Sequence, residues 1–95
     1  MTSAYPGDRN APGLSADQRA RPGQPLTERE VQALSDIANG AHVFETARAM
    51  GMSQRTVRRD LRAAEAKLGA RTLTHAAALA AARGLITVEP PVVIA

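Results

Sequence analysis

Arg55, Arg58, Arg59 and Arg62 are separated by three, four and seven residues. At about 100° per residue that spacing puts all four on one stripe of a helix. A guanidinium forks onto O6 and N7 of guanine or grips phosphate oxygens, so such a stripe suits a nucleic-acid groove. Gln54, in the first turn of the same helix, could reach an adenine edge. The amides of that helix's N-terminus would add phosphate contacts. Val57, Leu61, Ala64 and Leu68 form a separate apolar stripe suited to a core. Asp60 lies well around the helix from the arginines, so it need not repel a polyanion. A merely solvated helix face would usually interleave both signs.

The 95-residue chain has a formal net charge of +3, but the charge is unevenly distributed. Residues 48–71 carry Arg48, Arg55, Arg58, Arg59, Arg62, Lys67 and Arg71 against Asp60 and Glu65. Residues 25–47 carry Arg29 against Glu28, Glu30, Asp36 and Glu45. A concentrated positive window points to a polyanionic partner more directly than the total does. The absence of cysteine excludes disulfides and thiolate zinc sites and fits a reducing cytoplasm. The longest run of apolar or small residues, Ala76 to Ala82, falls far short of the roughly 20 needed to span a bilayer. No secretory pattern opens the chain. A cytoplasmic, nucleoid-associated protein without membrane contact is expected.

Catalytic chemistry is not expected. His42 and His75 lack companion cysteines, so no metal site is expected. No grouping of nucleophile, histidine and carboxylate stands out, and no glycine loop cradles a phosphate. Neither an enzyme nor a cofactor is expected, and the length admits one small domain with a modest core.

The elements that must hold the arginine stripe are legible. Residues 1–25 contain Pro6, Pro12, Pro22, Pro25, Gly7, Gly13 and Gly23 with almost no large apolar side chains, which predicts a disordered arm. A short helix over Ser15 to Arg21 would be marginal alone. Order is expected from Leu26. Thr27 and Glu30 form a capping box, with Leu26 and Val31 at the staple positions. Val31, Leu34, Ile37 and Ala38 then recur at helical spacing until Gly40. A shorter helix spans about Val43 to Met50, with Val43, Ala47 and Met50 on one face. Ser53 caps a third helix from Gln54 to about Leu68, ended by Gly69. Thr72 caps a fourth that runs to about Arg83, closed by Gly84. The prediction is an all-α four-helix bundle over residues 26–86, followed by an apolar tail, 87–95. Gly51-Met52-Ser53 is a tight turn between a short helix and a longer one, as in a helix-turn-helix. On spacing alone an ordinary αα-hairpin fits equally well; the arginine stripe on the second helix breaks the tie.

Residues 26–86 resemble the LuxR/FixJ-type DNA-binding domain, which also occurs alone in the spore regulator GerE. The matching residues are Leu26-Thr27-Glu28-Arg29-Glu30, Leu34, Gly40, Glu45, Ala47 and Met50, then Ser53-Gln54-Arg55-Thr56-Val57-Arg58. They continue with Lys67-Leu68-Gly69-Ala70, Thr72, Ala76 and Gly84-Leu85-Ile86. The resemblance implies a four-helix bundle whose third helix enters the major groove. It implies DNA-facing roles for Gln54, Arg55, Arg58, Arg59 and Arg62, and it has Ser53 and Thr56 contact phosphate or fix the turn. It also implies homodimers paired through the fourth helix. There the small side chains Ala77, Ala78, Ala81 and Ala82 would let two copies approach closely across a two-fold axis; the alternative is that alanine serves helicity alone.

The chain departs from the family pattern at several positions. His42 replaces a usual Ser or Thr, Phe44 a polar residue, Thr46 an Ile, Asp60 a His or Tyr, and Ala64 an Ile. Leu73 and His75 replace Arg and an acid or amide. The Asp60 change bears on backbone contact or DNA bending, while Thr46 and Ala64 together remove core volume, worth on the order of a few kcal/mol if uncompensated. His42 reads as a weak cap or a solvent-facing residue, with phosphate contact as the sharper alternative. His75 reads as structural or exposed. Phe44 is expected either between helices or exposed near a partner. The tail from Glu89 to Ala95 could fold back on the bundle, serve as a docking peptide or degradation signal, or fray. The expected function is a stand-alone, sequence-specific regulator of transcription on double-stranded DNA. The competing reading is an adaptor that docks on RNA polymerase or another regulator.

Overall fold

The computed structural model describes residues 19–89. Most of the expected helix over Ser15 to Arg21, and residues 90–95 of the tail, lie outside this range. Four helices follow in order: α1 (Glu28–Ala38), α2 (Val43–Met50), α3 (Gln54–Leu68) and α4 (Leu73–Ala82). Among the described residues there is no strand.

Three of the four helices begin where a local side chain can satisfy their free amides. At α1, Thr27 Oγ1 accepts from the Glu30 N–H at 3.1 Å, and Glu30 Oε1 accepts from the Thr27 N–H at 2.9 Å. This is the expected capping box, an arrangement that satisfies two orphan donors reciprocally. Ser53 Oγ accepts from the Thr56 N–H at 3.1 Å to open α3, and Thr72 Oγ1 accepts from the His75 N–H at 3.0 Å to open α4. The turn between α2 and α3 depends on Gly51, whose φ of 67° and ψ of 33° lie in the left-handed region. A Cβ there would meet nothing within 4 Å, so the demand for glycine comes from the backbone angle alone.

Helix α3 is the centre of the bundle and packs against α1, α2 and α4. Val57, Leu61, Ala64 and Leu68 on its inner stripe meet Ala33 and Leu34 of α1, Ala47 of α2, Ala76 and Ala80 of α4, and Ile86 beyond it. Half of that buried cluster is alanine, so the helices approach closely around a few large side chains. Thr46 and Ala64 are both fully within the interior.

On either side of residues 26–86 the chain makes contacts with the bundle. Before Leu26, Ala20 is buried, and the Gly23 N–H donates to the Lys67 carbonyl at the C-terminal end of α3 at 2.9 Å. After α4, Ile86 is 7% exposed, and the chain returns to the C-terminal end of α1. There the Asn39 side chain donates to the Thr87 carbonyl at 3.0 Å and accepts from the Glu89 N–H at 2.7 Å. One carboxamide thus pairs with the backbone on either side of Val88 much as a neighbouring peptide group would.

Candidate nucleic-acid interface

The outer stripe of α3 presents the expected cations. Arg55, Arg58 and Arg62 are exposed, and Arg59 is half-buried. Among the described residues, Arg55, Arg58 and Arg59 form no ion pair. Gln54 is exposed in the first turn. Ser53 and Thr56 serve the turn: besides accepting the Thr56 amide, the Ser53 hydroxyl donates to Thr56 Oγ1 at 3.0 Å. The helix that carries the guanidinium groups is therefore fixed at its start by its own cap and along its length by three neighbours.

A second set of charges on the same helix is committed inward. Asp60 is only 5% exposed, and its carboxylate accepts two hydrogen bonds from Arg29 of α1, from Nε at 3.1 Å and from Nη2 at 3.0 Å. Those hydrogen bonds, followed by the charge of Asp60, hold the Arg29 guanidinium above its ordinary pKa against a small opposing effect of burial. About two turns further on, Lys67 Nζ donates to Glu30 Oε1 at 2.8 Å, both side chains being largely buried. That oxygen also receives the Thr27 amide, so the cap of α1 and its tie to α3 meet at one atom. The sequence reading placed Asp60 away from the stripe but assigned it no partner; Arg29 and Glu30 entered only as charges and cap residues.

The structure also decides between the alternatives left open for other residues. Phe44 does not pack between helices: it is 53% exposed, and its ring stacks on that of His42 with centroids 5.6 Å apart and planes 6° from parallel. His42 occupies the N-cap position of α2, where its backbone N–H donates to Glu45 Oε1 at 2.7 Å. His75 is structural as well as exposed, its Nδ1 accepting from the Arg71 N–H at 3.1 Å. On α4, Ala78, Ala81 and Ala82 are exposed, whereas Ala77 is half-buried and turned towards Ile37 and Ala38 of α1. No helix among the described residues is long and apolar enough to cross a membrane, and none of their His, Asp or Glu side chains gather in threes as a metal site.

Comparison with known proteins agrees with this geometry. The profile of bacterial regulatory proteins of the luxR family matches residues 24–80, which include the caps, the turn and the whole of α3. Over 64 residues the chain is 39% identical to the transcriptional regulatory protein YdfI of Bacillus subtilis (strain 168), an alignment covering 67% of this chain. The match spans 30% of YdfI, well under half of that protein's length. No solved structure matches the chain. The matched domain is a helix-turn-helix DNA-binding unit of transcription regulators and not an enzyme family. With the capped bundle, the tight turn and the matching profile all in one register, the chain belongs to the luxR family of bacterial regulatory proteins.

Proposed function

We propose that this domain is a sequence-specific regulator of transcription that lays α3 in the major groove of duplex DNA and acts as a homodimer. The observation that carries the proposal is the open row of Arg55, Arg58 and Arg59 on a helix braced from three sides. Such a helix fits the groove as a rigid rod, and each arginine that forks onto a guanine contributes roughly 1–3 kcal/mol of discrimination. Gln54 and Arg62 extend the reading surface along the same helix. The phosphate role of Ser53 and Thr56 follows from their position at the start of α3, next to its free amides.

Ala77, Ala78, Ala81 and Ala82 are the proposed dimer surface on α4. The exposed and uncharged state of three of them supports this assignment. Two copies paired there would read half-sites about one DNA turn, roughly 10 bp, or a small multiple apart. The name of the matched relative supports a role in transcription. The cytoplasmic, nucleoid-associated location belongs to the same proposal.

Electrophoretic shifts with genomic fragments at several salt concentrations test it. Arg58→Ala with Arg59→Ala is expected to abolish specific binding while leaving helicity and sedimentation behaviour unchanged. Unaltered affinity in that variant would instead favour an adaptor that docks on RNA polymerase or another regulator.

A further inference from the structure

Asp60 marks the edge of α3 that turns from the arginine stripe towards α1. A helix with its side chains is about 10–12 Å across and the groove about 12 Å wide, so the flanks of the helix lie against the phosphate walls. Thr56 and Asp60 are four residues apart and therefore share one flank of α3, about 100° from Arg55 and Arg59 respectively. Asp60 lies on the α1 side of that flank, so the group that covers its carboxylate stands next to the phosphate wall. The structure shows the carboxylate covered: Arg29 spans it with two hydrogen bonds, and the Arg29 side chain is itself 54% exposed.

Only one edge of the guanidinium is used. Nε and one N–H of Nη2 face Asp60, while Nη1 has no hydrogen-bond partner among the described residues. A guanidinium locked along one edge by a buried carboxylate keeps its other donors in a fixed plane, the geometry that suits an anionic oxygen. An open hollow in front of it is lined by Thr27, Glu28, Arg29, Glu30 and Asp60. Glu30 and Asp60 are neutralised by Lys67 and Arg29, and Glu28 is exposed, so its carboxylate can turn to solvent.

We infer that Arg29 is a phosphate-contacting residue delivered by α1, with Asp60 as its positioning partner. This rests on the major-groove reading of α3 and adds to it a contact from outside the recognition helix. The contact is short-range and directional, because the Arg29–Asp60 pair carries no net charge. It fixes the docking angle of α3 and carries no sequence preference of its own.

The test pairs one protein change with one phosphate change. A duplex recovered from a random pool by the unaltered protein is resynthesised with a neutral methylphosphonate at each backbone position in turn. One position on the flank beside α3 is expected to weaken the unaltered protein about tenfold, as loss of a charge-assisted hydrogen bond does. That same substitution should cost Arg29→Gln nothing further. The double variant Arg29→Ala with Asp60→Asn, which leaves no buried charge unpaired, should behave as Arg29→Gln does. Asp60→Asn alone should retain the sensitivity in part. If every phosphate position that weakens the unaltered protein weakens both Arg29 variants equally, the contact does not exist. If instead no duplex is recovered, or Arg58→Ala with Arg59→Ala binds as well as the unaltered protein, the groove reading itself has failed.

Discussion

The two charged edges of α3 are made of similar residues and do opposite things. On the outer edge, Arg55, Arg58 and Arg59 form no ion pair among the described residues. On the edge facing α1, Asp60 and Lys67 are each consumed by a residue from the first turn of that helix, Arg29 and Glu30. The difference is burial. A charge taken out of water must be paired, whereas a charge left at the surface is already solvated and stays available to a ligand. Charge composition alone therefore overstates the cationic surface: Lys67 contributes to the positive window of the sequence but is already engaged within the fold. The inner pairs also orient the outer edge, since they fix the rotation of α3 relative to α1.

The contrast predicts unequal costs of substitution. Glu30→Ala is expected to have the largest effect, because it strands the largely buried Lys67 ammonium and removes half of the α1 capping box. Breaking a buried pair from one side costs about 3–5 kcal/mol, a large share of the roughly 5–15 kcal/mol that holds a small domain together. Urea unfolding followed by far-ultraviolet circular dichroism would measure it. A loss below about 1 kcal/mol would mean that Lys67 reaches water in the folded state and that the two edges differ little in burial.

What was legible in the sequence divides along the same line. Caps, helix ends and the arginine stripe are set by residues three or four apart, so a single sequence displays them. The pairs Arg29–Asp60 and Glu30–Lys67 join residues 31 and 37 positions apart, and nothing in the spacing of either helix announces them. Asp60 offered a partial clue, since it falls between the cationic stripe and the apolar one, where a carboxylate is half drawn into the interior. Phe44 teaches the converse. Its angle on α2 lies off the face formed by Val43, Ala47 and Met50, and in a helix that angle outweighs the size of an aromatic side chain. The return of the chain to Asn39 was legible only as an apolar tail with several possible fates.

A third buried polar residue sharpens the comparison. Thr46 of α2 is 1% exposed, and its hydroxyl has no hydrogen-bond partner among the described residues, unlike Asp60 or Glu30. Thr46→Val removes the hydroxyl at nearly constant shape and should therefore stabilise the domain, by about 1 kcal/mol. For a domain of this size that gain raises Tm by roughly 4–8 °C in a calorimetric scan. A fall in Tm would show that the hydroxyl is satisfied, and no buried side-chain polar atom among the described residues would then be left unpaired at a cost.

The smallest effect on stability is expected from the outer edge. Arg58→Ala removes an exposed side chain that forms no ion pair among the described residues and places the best helix former in the middle of a helix. Unfolding free energy should stay within about 0.5 kcal/mol of the original, while affinity for a selected duplex falls by a factor of about ten or more. The two measurements must separate if the outer edge is kept for a partner, because a residue that serves only the fold loses both together. A parallel loss of stability and affinity in this variant would place Arg58 with Asp60 and Lys67, among the charges that the fold itself uses.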